Sequence, residues 1–270
     1  MNTLEHKMVD VLCDLRENHF VTGIKAEFEA EGTRLEEALR LKEVLMRAGL
    51  GLTIKIGGCE ALRDMYECRT IGVERVVAPM VESAYALKKF LQATQLAFPE
   101  DERQDIKFAG KQCFDVDGKF DEMLRLPEID SLDGIIMGRV DLTGSMGLTR
   151  EDINRHEVWE ISRDLFLKAK TLSLETAIGG GVSAHSLPFF RELPPGSLDR
   201  YETRKVIFQC PGALGPNADK GILKAVGFEL LWLKNKRDYY HLISSEDNQR
   251  IAMLESRYKR LIEEAGGKYE

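Results

Sequence analysis

The chain has 270 residues, of which 31% are charged and 43% hydrophobic, with a net charge of −7. That composition is globular and long enough for one large α/β domain or two modest ones, and it argues against disorder. The acidic balance argues against a nucleic-acid or anionic-membrane face, and no apolar run approaches the ~18–20 residues of a membrane span.

Residues 2–18 read as an amphipathic helix of mixed charge, unlike a signal peptide, so a cytoplasmic protein is expected. Five cysteines with no C-x-x-C pair fit reduced thiols better than a disulfide frame or structural zinc. Phe20–Ala30 reads as a strand, and Thr33–Ala48 as a helix stopped by Gly49. Strand Leu50–Ile56 precedes helix Cys59–Thr70, and strand Glu74–Val81 precedes helix Ser83–Leu96. Strand Ile106–Cys113 leads to a short helix at Phe120–Leu124, and strand Leu132–Met137 to a helix across Asp152–Leu172. Leu174–Ile178 runs into Gly179, Gly180 and Gly181, and Tyr201–Cys210 is the seventh strand. From about Lys220 the chain is helical.

Seven βα units imply a parallel sheet. No βα turn carries the G-x-G-x-x-G of a dinucleotide fold. The expected fold is therefore a (β/α)8 TIM barrel over residues 1–219, with a C-terminal helical extension over 220–270. One strand is missing from the count. Either the N-terminal segment supplies it in distorted form, or the barrel is irregular.

Buried parallel strands ordinarily read as plain apolar runs. Here Lys25, Glu27 and Glu29 share one face of the first strand by period-two alternation. Buried charges need partners, a metal or water, and these run toward the strand's C-terminal end, where barrel active sites lie. An internal ion-pair cluster is the plainer reading. Lys55 sits in LTIKIGG, suited to a carboxylate, a phosphate or a Schiff base. Of Arg204 and Lys205, at most one points into the barrel.

The fifth unit, Gly134–Gly147, runs an apolar strand into a glycine turn holding Asp141, a possible ligand for a hard cation. In the sixth, Gly180, Gly181 and Ser183 open a helix as a generic anion cradle, or simply as a turn.

The segments RVVAPMVESA (Arg75–Ala84) and GIIMGRVDLTGSMG (Gly134–Gly147) resemble the HpcH/HpaI aldolase and citrate lyase β-subunit family. The resemblance spans roughly Ile24 to Ile178. It implies a phosphoenolpyruvate/pyruvate-type barrel that makes or breaks a carbon–carbon bond beside a 2-oxo acid carbonyl. It further implies an enolate and a divalent metal (Mg²⁺ or Mn²⁺), while the charged barrel lining and the glycine-serine cradle suggest a polar, sugar-like or phosphorylated aldehyde partner. Asp141 then matches the metal-binding aspartate, and the turn at Gly138 and Arg139 the one whose backbone holds the substrate carboxylate. Lys55 falls where the family has a catalytic arginine. The second metal ligand is Gln112 or Asp115, depending on the anchor used. The family's early-strand His is absent, which leaves Glu29, Glu31 or another group as general base. The family's habit of packing a C-terminal helix on a neighbour implies a homo-oligomer.

Three functions remain open: the metal-dependent aldolase, with Lys55, Glu27, Glu29 and Lys205 as catalytic candidates; a Schiff-base aldolase using Lys55 or Lys205; and a non-catalytic relative.

Overall fold

The computed structural model describes residues 1–112 and 119–266, with only the backbone of Gln112 and Lys119. Eight strands close into a barrel in sequential order. They are β1 (Val21–Glu27), β2 (Gly51–Lys55), β3 (Arg75–Ala78), β4 (Lys107–Gln112), β5 (Gly134–Gly138), β6 (Glu175–Gly179), β7 (Arg200–Glu202) and β8 (Val206–Gln209). The helices are α1 (Thr3–His19), α2 (Leu35–Ala48), α3 (Leu62–Ile71), α4 (Ala84–Ala97), α5 (Glu100–Arg103), α6 (Lys119–Leu124), α7 (Arg139–Ser145), α8 (His156–Thr171), α9 (Leu187–Glu192) and α10 (Ala218–Glu264).

The missing strand lies inside the expected seventh. Tyr201–Cys210 is two strands, not one, and β8 runs antiparallel to both β7 and β1. The cause is the short turn at residues 203–205. Thr203 Oγ1 accepts a hydrogen bond from Val206 N at 3.0 Å, and Thr203 N donates to Val206 O at 3.0 Å. A polar Thr-Arg-Lys turn can be solvated at the barrel mouth, where a continuing buried strand could not hold it. The N-terminal segment supplies no strand. It is α1, started by a reciprocal cap in which Asn2 and Glu5 bond each other's backbone N–H.

Because β8 descends, the chain leaves the barrel at the N-terminal end of β1–β7. There α10 starts and runs antiparallel beside α1, whose far end it meets through Asn2 Nδ2 donating to Asn235 Oδ1 at 2.6 Å. Ile222, Ala225, Phe228 and Trp232 bury this face of α10.

Alternation divides the strands into two faces. Ile24, Ala26, Leu52, Ile54, Val76, Ala78, Ile135, Met137 and Ile178 meet the helices in one large core. The barrel interior is different. Val77, Ala109, Ile136 and Ala177, on β3 to β6, form an apolar waist there, and Ile207 of β8 lines the cavity below it. Ordinary barrels fill the interior with about three apolar layers. Here charged side chains replace the others.

Below the waist, a cavity of about 410 Å³ is lined by Arg75, Lys107, Glu175 and Arg200, with room left by Gly23 and Gly51. Glu175 Oε2 accepts from Arg75 at 2.7 Å and lies 3.2 Å from Arg200, and Oε1 accepts from Lys107. Burial alone would raise the Glu175 carboxyl. Lys107, Arg75 and Arg200 outweigh it and hold it down to about 2. A depressed carboxylate stabilises the fold above its ordinary range near 4.5, and that contribution is lost as pH falls toward 2. Glu175→Gln is therefore expected to cost about 2–3 kcal/mol at neutral pH by leaving two buried arginines short of a counter-charge. The stability gap from the parent should close between pH 4.5 and 2, read by denaturant unfolding across that range.

Candidate active site

Above the waist, the C-terminal ends of β1, β2 and β4 and the β7–β8 turn bring lysines and carboxylates into one cluster. Lys25 Nζ lies 3.2 Å from Glu202 Oε2 and 3.6 Å from Glu27 Oε1. Lys55 Nζ lies 2.7 Å from Glu27 Oε2, so Glu27 is clamped between two lysines. Desolvation pushes the Glu27 carboxyl up, but Lys25 and Lys55, with Lys111 beyond them, hold it below its ordinary value. Desolvation likewise opposes the charge on Lys25, yet Glu202 and Glu27 keep its ammonium pKa above the ordinary value. Lys205, 3% exposed, donates to Glu31. There desolvation wins and the Lys205 amine is shifted down despite Glu31. Arg204, the outward member of the pair, reaches Glu31 at 3.2 Å from the exposed side.

The first strand ends at Glu27, so Glu29 is not on it. It lies in the following bend, with a carboxylate oxygen 3.2 Å from where a Cβ on Gly57 would stand. Glu29 is exposed, and no ion pair or hydrogen bond is seen for its side chain among the described residues.

On β4, Lys111 donates to Asp141 of α7. Gly138 makes this possible. A Cβ there would come within 2.5 Å of Lys111 Cε and 2.9 Å of Asp141 Oδ2.

Arg139 is turned the other way. Its guanidinium is fully buried, donating to Gly179 O at 3.2 Å, Gly180 O at 2.9 Å, Asn154 Oδ1 at 2.7 Å and Ser186 Oγ at 3.2 Å. It also stands 4.9 Å over the Phe190 ring. The glycine run thus also serves as an arginine dock through its carbonyl oxygens. Gly180 has φ +85°, and a Cβ there would stand 2.7 Å from Val140 N and 2.9 Å from Arg139 N, so it closes on the start of α7. Gly181 has φ +64° and is crowded by Ile153. Ser183 is half-buried and its N–H donates to Ser186 Oγ at 3.4 Å.

Solved structures share this architecture. An HpcH/HpaI aldolase from Desulfitobacterium hafniense DCB-2 superposes with TM-score 0.59 at 15% identity, covering 73% of this chain and 82% of that one. An HpcH/HpaI aldolase/citrate lyase family protein from Burkholderia cenocepacia J2315 gives 0.53 at 12%, covering 71% and 89%. A variant of the citrate synthase SbnG gives 0.54 at 13%, covering 85% and 90%. The fold is that of the HpcH/HpaI aldolases. No family model matches the sequence and no curated protein is found similar to it.

Within an HpcH/HpaI-type barrel, the mouth holds Lys55, Glu27, Lys205, Gly138 and Asp141 of the expected residues. Sequence reasoning missed Lys111 and Glu202. Both follow the period-two alternation of their strands, Lys111 with Lys107 and Glu202 with Arg200, and that pattern was the available signal. The metal expectation meets a different chemistry. Among the described residues no three His, Cys, Asp or Glu side chains group as a metal site, and the Lys111 ammonium is already on the Asp141 carboxylate. Asp115 lies outside the described residues, as does the side chain of Gln112. Of the expected ligands, the described residues thus include Asp141 alone. No described helix is long and apolar enough to cross a membrane.

Arg139→Ala is expected to destabilise the chain by about 3–5 kcal/mol, since four acceptors lose a buried donor. Gly138→Ala should leave stability within about 1–2 kcal/mol while displacing Lys111, because the atoms it meets are a flexible side chain. Paired thermal and denaturant melts of the two variants check the contrast.

Proposed function

We propose that this chain is a carbon–carbon lyase of the aldolase kind, cleaving a 4-hydroxy-2-oxo acid into a pyruvate-like 2-oxo acid and a polar aldehyde. The observation that carries it is the set of four lysines at the mouth, Lys25, Lys55, Lys111 and Lys205, each held in place by a carboxylate at the end of the barrel where active sites of this fold lie. A substrate carboxylate and a developing enolate both need positive charge held in place before the reaction.

Glu29 takes the proton of the C4 hydroxyl. The C3–C4 bond breaks, the aldehyde leaves, and the electron pair moves onto the C2 carbonyl oxygen as an enolate. Lys55 and Lys111 hold that oxygen and the adjacent carboxylate, and protonation at C3 completes the 2-oxo acid. Glu29 suits the base because its carboxylate has no clamping partner among the described residues. Glu27 is a positioning residue, since two lysines hold it below its ordinary pKa and it fixes Lys55 in return. The Mg²⁺ or Mn²⁺ that the resemblance implies would be held by Asp141, where it would compete with Lys111, and would supply further positive charge to the enolate.

Lys111→Met and Lys55→Met are each expected to lower kcat/KM by about 100-fold. Glu29→Gln should lower kcat by ~10²-fold or more with little change in KM. Pyruvate release from a panel of 4-hydroxy-2-oxo acids is the assay. Unchanged turnover in all three variants, or no turnover of any such acid, overturns the reading.

A second reading rests on one observation: burial shifts the Lys205 amine down, toward the neutral form an imine requires. Borohydride with 2-oxo acid then traps an adduct on Lys205. Under the enolate reading, no lysine is trapped.

A further inference from the structure

Helix α10 continues long after the barrel ends. Its last anchors to the body are Lys236, 2.9 Å from Glu37, and Tyr240, whose hydroxyl donates to Glu37 at 2.5 Å. The helix then runs on from residue 241 to Glu264, ~36 Å, into solvent. A single helix in water is marginal at such lengths, and this one is not polar on all sides.

A strict seven-residue repeat runs along α10. Leu223, Val226, Leu230 and Leu233 occupy its first core positions, and Ile251, Leu254, Tyr258 and Leu261 its last, in the same unbroken a/d frame. All eight are between 47% and 71% exposed. In the barrel-bound half, the buried residues Ala225, Phe228 and Trp232 lie on a different face of the helix, with Ile222 at the border between the two. Apart from Tyr240, whose hydroxyl is bound to Glu37, the repeat is not the helix's attachment to its own barrel, and its exposed apolar positions form a coiled-coil seam.

The middle of the seam names the occupant. Between the two apolar blocks the frame places Arg237, Tyr240, Ser244 and Asp247. A parallel pairing of two copies stacks Arg237 on Arg237 and Asp247 on Asp247. An antiparallel pairing about a two-fold axis beside residue 242 does the reverse. It sets Leu223 against the partner's Leu261, Leu230 against the partner's Leu254 and Leu233 against the partner's Ile251. At the centre it sets Arg237 against the partner's Asp247 and the large Tyr240 against the small Ser244 of the partner subunit. Along one edge, Glu229 comes beside the partner's Arg257. Lys236, which would meet the partner's Arg250, is held by Glu37 of its own barrel. Arg237 lies 2.8 Å from Asp238 on the exposed surface, and that exposed pair is cheap to exchange.

We propose that α10 pairs with α10 of a second copy as an antiparallel coiled coil in this register, joining two barrels through a two-helix ribbon. Each barrel lies on the outer side of its own helix. Since α10 passes the mouth end of its barrel near Tyr240, both mouths turn toward the two-fold axis.

The test is sedimentation equilibrium on the full chain across the micromolar range, with circular dichroism as the control for folding. The parent is expected to be a dimer. Leu254→Asp and Leu230→Asp should each yield a folded monomer. Arg237→Asp alone should weaken the dimer by about 10-fold or more, because it faces the partner's Asp247. Combining it with Asp247→Arg should restore the parent affinity to within about threefold, which an antiparallel register alone allows. A monomeric parent, an oligomer indifferent to L254D, or an R237D/D247R chain no tighter than R237D overturns the proposal.

Discussion

The contact between Lys25 and Glu202 closes this barrel. β1 and β7 are not neighbours, because β8 runs between them in the opposite direction. The ion pair reaches across that strand inside the barrel, with Glu202 1% exposed. A buried carboxylate this enclosed is costly without its cation, and the cation without it. The pair fixes the height of the β7–β8 turn, which in turn places Lys205 at the rim. Lys25 N donating to Lys205 O at 2.7 Å ties the same corner through the backbone. Glu27 then links Lys25 to Lys55, so the order of the mouth spreads from one interior contact.

The two ends of the barrel use charge in different ways. At the N-terminal end, Arg75, Lys107 and Arg200 converge on the single carboxylate of Glu175. In this fold that end serves stability. At the mouth, lysines and carboxylates are paired one against another while Glu29 stands exposed beside Gly57. The four-residue apolar waist separates the two clusters. The arrangement gives the interior its specificity of register, since sliding β1, β4 or β7 by one residue would put its charges against the apolar core outside the barrel.

The barrel was legible because hydrophobic periodicity and strand spacing are local. The charges of β1 and Lys55 were legible for the same reason: alternation assigns a face before any partner is known. The role of the glycine run was not. Gly179 and Gly180 look identical whether their backbone cradles an anion or accepts from Arg139, and only the position of α7 beside β6 decides between them. Arg139, beside Asp141 in sequence, faces away from it because successive residues at the start of a helix point in different directions. Lys111 was passed over because its partner, Asp141, lies 30 residues away on another unit.

What the sequence determined by itself is the repeat of βα units, the charged face of the first strand, the strand-end position of Lys55 and Asp141, and the helical course of the last segment. Each is set by spacing along one segment, and spacing is all that local backbone geometry needs. What only the tertiary structure decided is the reversal at Thr203, the pairing of Lys25 with Glu202 and of Lys111 with Asp141, and the burial of Arg139. These depend on which segments meet in space. An ion pair in a closed barrel is chosen by the competition among all the charges enclosed with it, and that competition is not written in any one stretch of chain.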